Sequence, residues 1–218
     1  MKFMKVTFCL VLLLAVPLRA EIVDRIVAVV DGRVITWSAM LAEANYRAFR
    51  NGQEPVATLE GEAFRTIVSQ MADQELLEKE KANSPFSPPV NGDRTALEEL
   101  RKRFASPAQF EKELARYKLT ETELARHLSR ENAILEFVEY HLRPGARLSP
   151  GAVEAYFRET LLPQLRQRGE VNAPSLEQVN GSIEQILTEQ EMNRLLDEWL
   201  QQLRSRAKIR MILVTSDK

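Results

Sequence analysis

The hydrophobic pattern beyond residue 20 begins with a stretch typical of β-strands. Residues 22–30 are rich in β-branched side chains, and a second such run covers residues 34–36. Asp31 and Gly32 separate the two runs, and this pair favours a two-residue hairpin turn with positive φ at both positions. The pattern therefore predicts an N-terminal β-hairpin. Because an isolated hairpin is marginally stable in water, we expect it to need a third strand or a covering helix.

From Thr36 onwards the apolar positions repeat with the period of an amphipathic helix. A first helix is predicted from a cap at Thr36 or Ser38 to about Arg50, and a second over residues 59–82. The proline-rich residues 83–92 cannot form a regular element and predict a surface loop. Further helices are predicted over residues 95–104, 107–117 and 121–142.

The second half of the chain predicts a broken helix, a long helix and a final strand. A helix that opens at residues 149–150 is interrupted by Pro163. Ser175 then starts the longest periodic run, whose broad apolar face must be buried. Residues 209–214 are extended, and they are the natural third strand for the hairpin. We therefore predict a mostly α fold: a multi-helix core with a small antiparallel β element that joins the N-terminal hairpin and the C-terminal strand.

The first twenty residues have the features of a secretory signal peptide. Lys2 and Lys5 precede an almost unbroken apolar run over residues 6–16, which residues 17–20 then break. The run is about half of the ~20 residues that a bilayer span needs, so a cleaved signal is favoured over an anchor helix, with no stable membrane insertion afterwards. The predicted division is a signal peptide at 1–20, the N-terminal part of the domain at 21–143, a helical connector at 144–174, and the completing C-terminal helix and strand at 175–218.

Charge and cysteine content narrow the function classes. Lys2, Lys5 and Arg19 lie in the leader, so 27 of the 30 basic residues remain against 31 acidic ones, a net charge of −4. A globally basic nucleic-acid binder is therefore disfavoured. The one cysteine, Cys9, also lies in the leader, so the exported chain is expected to have neither a disulfide framework nor thiol chemistry.

The sequence shows no arrangement of residues that is typical of a catalytic site. The two histidines, His127 and His141, lie on one predicted helix at a spacing of roughly 21 Å along its axis, too far apart to share a metal or a proton. Carboxylate pairs such as Glu98 and Glu99 lie among Lys and Arg, as on solvated helix faces. No serine elbow or Walker loop is present. We expect no catalytic residue, no metal site and no cofactor.

Four short segments carry a family resemblance. They are IVDRIVAVVDGRVIT at residues 22–36, SPAQFE at 106–111, LTETEL at 119–124 and WLQQLRSRAKI at 199–209. In this order they resemble the SurA-type periplasmic chaperones, over nearly the whole exported chain. The resemblance implies a helical chaperone core, built from an N-terminal region and a returning C-terminal helix and strand, that binds unfolded outer-membrane proteins in Gram-negative bacteria.

One departure from that family bears directly on function. SurA-type proteins usually insert one or more parvulin-type prolyl isomerase domains between the two parts of the core. Here only residues 149–174 lie between them, and domains seldom fall below ~50 residues. The isomerase domain is therefore expected to be absent, which predicts a non-enzymatic holdase whose partners are unfolded client polypeptides. A prolyl isomerase with a cryptic site, and an envelope-assembly module with one fixed partner, are the alternatives; a homodimer is left open.

Candidate client-binding residues are aromatic side chains that the predicted core does not obviously require. Aromatic rings suit promiscuous recognition because they provide a large contact area with little demand on the client's sequence. The competing interpretation is that each ring completes the core. The candidates are Tyr46, Phe49, Phe86, Tyr156 and Phe157.

Overall fold

The first and last strands of the described residues belong to one three-stranded antiparallel sheet. The computed structural model describes residues 24–87, 92–170 and 172–212. Its strands are β1 (Ile26–Val30), β2 (Arg33–Thr36) and β3 (Ile209–Met211), in the order β2-β1-β3. Asp31 and Gly32 have φ angles of 47° and 88°, which is the positive-φ turn that the sequence predicts. The third strand that the hairpin needs is therefore supplied by the C-terminal run, as predicted.

Helices make up most of the remaining described chain, so the predicted mostly α fold is confirmed. Side chains cap several of them: the Thr36 hydroxyl accepts the Ala39 N–H at 3.3 Å, and both Thr120 and Ser175 form reciprocal capping boxes. The helices are α1 (Trp37–Arg50), α2 (Gly61–Ala82), α3 (Gly92–Arg101), α4 (Pro107–Arg116), α5 (Glu121–Leu142), α6 (Ala152–Tyr156), α7 (Leu162–Gln167) and α8 (Leu176–Arg206).

Buried apolar side chains of the described residues form two clusters. The first, here called the sheet cluster, joins the inner face of the sheet to α2, the second half of α5 and the end of α8. The second, here called the helical cluster, joins the end of α1 to α3, α4 and the first half of α5. Both α1 and α5 contribute to each cluster, as Met40 and Tyr46 on α1 illustrate. These two helices therefore connect the two halves of the core.

Polar contacts reinforce the junction of the chain ends. Asp31 accepts the Lys79 ammonium at 2.7 Å and the Lys208 backbone N–H at 2.8 Å, so one carboxylate in the hairpin turn holds both α2 and the entry to β3. The Lys79 hydrogen bond is the main reason that the pKa of Asp31 is lowered. Arg204 on α8 makes a bidentate pair with Asp73 on α2. The end of α8 is thus fixed by both apolar and charged contacts.

A buried asparagine holds the loop after α1 in place. Asn45 is 3% exposed; its amide donates to the carbonyls of Leu41 and Val56 at 3.1 and 3.0 Å, and its oxygen accepts the Val56 N–H at 2.8 Å. We expect Asn45→Ala to lower the free energy of unfolding by about 2–3 kcal/mol in urea denaturation, because Val56 loses both partners. Gln53→Ala, at an exposed position of the same loop, is the control. If both variants lower the free energy of unfolding equally, Asn45 does not hold the loop in place.

The helical connector differs from the prediction in the residue at which it begins and in its path at Pro163. The helix begins at Ala152 after Gly151, whose φ is 78°, and not at residues 149–150. Pro163 does not end the helical path, because a π-helical turn over Phe157–Leu161 leads directly into α7. In an α-helix, the ring of a proline clashes with the carbonyl four residues earlier. A π-helical turn is wider, so the helical path can continue through Pro163. α6 of the connector packs on α8.

The predicted signal peptide at residues 1–20 lies outside the described residues, as do residues 213–214 of the predicted last strand. Among the helices of the described ranges, none combines the length and the apolar character that a membrane span requires.

Candidate functional site

A row of aromatic rings lies where the loop after α2 meets α5 and α8. Phe86 contacts Phe137 and Tyr140, with ring centroids 5.7 and 5.3 Å apart. Phe137 lies 5.8 Å from Trp199, which stacks on His141 at 4.2 Å and 21°. We call these five residues the aromatic strip. Spacings of this size are those of favourable aromatic pairs.

Local structure explains how three separate segments bring these rings together. Phe137, Tyr140 and His141 have the i, i+3, i+4 spacing that places side chains on one face of α5. Trp199 lies on α8 where that helix crosses α5. Phe86 is positioned by a short turn in which the Ser84 hydroxyl donates to the Lys81 carbonyl and accepts the Phe86 N–H, both at 3.1 Å. Two helices and one hydrogen-bonded turn therefore position the strip.

The rings of the strip are unequally buried. Phe137 is 1% exposed and forms its floor, whereas Tyr140 is 54% exposed. His141 is exposed, and Phe86 and Trp199 are half-buried. A contiguous surface of aromatic carbon on a folded protein is a feature of interaction sites. The strip can offer ring faces to a partner without rearranging the core.

Two of the predicted client-binding residues, Tyr46 and Phe49, belong to the core. Phe49 is 8% exposed and packs with Phe104, Phe110 and Tyr117 at 6.0, 6.3 and 5.3 Å. Tyr46 is 4% exposed, stacks on a histidine of α5 and donates its hydroxyl to a glutamate. Both rings are packed into the core, which is the competing interpretation of these two candidates.

The remaining candidates are divided between two places. Phe86 lies in the strip, where it contacts the exposed Tyr140. Tyr156 and Phe157 are half-buried in the connector. Tyr140, His141 and Trp199 are not among the candidates taken from the sequence. Two signals point to them: the i, i+3, i+4 spacing of Tyr140 and His141 from Phe137 on α5, and the presence of a tryptophan on α8. Trp199 also contacts the sheet cluster, so it is part of the apolar face of α8.

A second feature is a cavity of about 440 Å³ between α1, α2 and α5. We call it the seam cavity because its lining comes from both clusters: Tyr46 belongs to the helical cluster, and Leu77 and Ile134 belong to the sheet cluster. Leu135, which is 58% exposed, lies at the same opening. The cavity therefore has an apolar wall at the place where the two halves of the core meet.

Charged side chains of α1 form the other wall of the seam cavity. The buried Glu43 carboxylate accepts from Arg47 Nε at 2.7 Å and lies 3.3 Å from His127 Nδ1. Burial favours the neutral acid, but the hydrogen bond from His127 and the charge of Arg47 outweigh it and lower the pKa of Glu43. Burial, reinforced by the hydrogen bond to Glu131, raises the pKa of Tyr46. Glu43 is thus ionised and Tyr46 is neutral at ordinary pH.

In the described ranges, no group of three or more histidine, aspartate or glutamate side chains is arranged to hold a metal ion. His127 lies in the seam cavity and His141 in the strip, so the two histidines belong to different sites. No family model matches the chain, and no curated protein is significantly similar to it.

Proposed function

We propose that this protein is a non-enzymatic periplasmic chaperone, a holdase that binds unfolded client polypeptides, outer-membrane proteins among them, and delays their aggregation. The observation that carries the proposal is the aromatic strip, which offers partly exposed rings that contact one another.

The arrangement of the strip suits clients of many sequences. Rings contributed by α5, α8 and the loop at Phe86 provide apolar contact without fixed hydrogen-bond directions, so a client needs only an apolar or aromatic side chain. The mutual ring contacts hold Phe137 and Trp199 in place before a client arrives, which limits the entropy lost on binding. Binding then lowers the concentration of free, aggregation-prone client by mass action.

The fold supports the same proposal independently of the strip. The resemblance to SurA-type chaperones implies a core in which a C-terminal helix and strand return to the N-terminal region. Here β3 pairs with β1, and α8 packs on α2 and α5. The leader-like residues 1–20 supply the expected route to the periplasm.

Light scattering of an aggregating client tests the proposal. An outer-membrane β-barrel protein is diluted from urea with and without the chaperone, and we expect scattering to be largely suppressed at a stoichiometric amount. Absence of suppression would refute holdase activity.

Two further assays of the same protein test the two alternatives. Acceleration of a proline-limited refolding reaction would favour a prolyl isomerase. One stoichiometric partner in a pull-down from an envelope extract, in place of a spread of unfolded clients, would favour an assembly module.

A further inference from the structure

Three aromatic rings of the helical cluster each lie beside an arginine that also pairs with a carboxylate. The Arg50 guanidinium is 5.8 Å from the ring centroid of Tyr46 and is bound by Glu131. A planar guanidinium suits this arrangement because it stacks on a ring face and directs its N–H groups at a carboxylate. The other two sets are Phe110 with Arg101 and Glu121, and Tyr117 with Arg116 and Glu113.

The aromatic strip has the ring and the carboxylate of such a set but not the arginine. Glu136 lies one turn before the exposed Tyr140 on α5, so the two side chains share a face of that helix. Glu136 is half-buried and makes no ion pair with another side chain that the structure describes. Among the same residues, no cation lies over a ring of the strip. The place of the guanidinium is therefore open to a partner.

The charged side chains closest in sequence to the strip are paired within the chain. Each pair joins one acidic and one basic group, so the pairs leave no net charge beside the rings. Glu136 consequently gives this part of the surface a negative charge, and a cationic partner is complementary to it. The pairs are Glu139 with Arg143, Lys81 with Glu78, and Glu198 with Arg194.

We propose that the strip binds arginine side chains of client polypeptides, with the guanidinium over the Tyr140 ring and its N–H groups on the Glu136 carboxylate. The inference rests on the proposed holdase function and names the client segments that the strip selects: apolar stretches that carry an arginine. Arginine is preferred to lysine because a guanidinium is planar and less strongly hydrated than an ammonium group.

Two peptides measure this preference. Both are rich in leucine and free of tryptophan, and they differ only in that one carries arginine where the other carries citrulline, which has nearly the same shape and no charge. The full chain with Trp37→Phe retains Trp199 as its single tryptophan, so a change in tryptophan emission reports binding at the strip. We expect the arginine peptide to bind about tenfold more tightly. Equal dissociation constants would overturn the proposal.

Glu136→Gln and Glu111→Gln are the matched variants, made in the same Trp37→Phe chain. Each replaces one carboxylate by an amide of the same shape, and Glu111 is exposed on α4, outside the strip. We expect Glu136→Gln to reduce the preference for arginine to about threefold, which the ring contact alone supplies, and Glu111→Gln to keep it about tenfold. An unchanged preference in Glu136→Gln, or an equal loss in both variants, would contradict the role of Glu136.

The light-scattering assay separates failure of this inference from failure of the holdase proposal. If client aggregation is suppressed but the arginine peptide binds no more tightly than the citrulline peptide, only the arginine preference fails. If aggregation is not suppressed and neither peptide binds, both proposals fail. The comparison of the two peptides needs no substitution at Glu136, so it decides the question even if Glu136→Gln does not fold.

Discussion

Replacing Phe86 and Tyr140 together with serine is expected to weaken suppression of client aggregation about tenfold. Both rings are in contact at 5.3 Å, and both present carbon to solvent. Aromatic contacts contribute about 0.5–1.5 kcal/mol each beyond buried area, so two of them change an affinity by roughly tenfold. The measurement is the chaperone concentration that halves light scattering by an unfolded outer-membrane protein.

Val34→Ser is the matched control for the strip. Val34 is an apolar side chain 52% exposed on β2, outside the strip, so its replacement removes exposed apolar surface elsewhere on the fold. We expect near wild-type suppression from this variant. Equal weakening by the control, or undiminished suppression by the double variant, would show that the strip does not bind clients.

Leu203→Ala is expected to lower the free energy of unfolding by about 3 kcal/mol, since truncation of a buried leucine costs about 2–5 kcal/mol. Leu203 is 9% exposed near the end of α8 and lies in the sheet cluster with residues of β1 and α2. The loss should appear in urea denaturation followed by circular dichroism.

Gln202→Ala provides the comparison for Leu203. Gln202 is the preceding residue of α8 and is exposed, and surface substitutions usually change stability by no more than about 0.5 kcal/mol. Similar small effects from both variants would mean that the end of α8 does not contribute to the core.

Elements with strong local signals were predictable from the sequence. The Asp31–Gly32 pair identifies the hairpin because few other residues adopt positive φ at both turn positions. Thr120 and Ser175 mark helix starts because a side-chain oxygen must accept an otherwise unpaired backbone N–H. The third strand followed from the need to complete a marginal hairpin, and β3 supplies it.

The positions of individual aromatic rings were not predictable, because they depend on how helices cross. Tyr46 and Phe49 lie on the side of α1 that contacts α5 and α4, so both are buried. Tyr140 on α5 contacts Phe86 and stays 54% exposed. The helical period gives the face that each residue shares, but the crossing of the helices decides which face is covered.

Proline also shows the limit of local rules. Pro163 normally ends or kinks a helix, but in this chain the π-helical turn before it provides the extra width and the helical path continues to Gln167. A one-residue change in helical register of this kind has no clear signature in a single sequence.

The meeting of the two chain ends is the central claim, and a cross-strand disulfide tests it most directly. Val29 on β1 lies opposite Arg210 on β3, and partners in a sheet are close enough for a disulfide between cysteines. In a chain with Cys9→Ser, we predict that Val29→Cys and Arg210→Cys form an intramolecular disulfide on oxidation, raising the free energy of unfolding by about 4 kcal/mol. Each single-cysteine variant should form no such bond. Absence of the bond in the double variant, or bonds only between separate chains, would contradict the account.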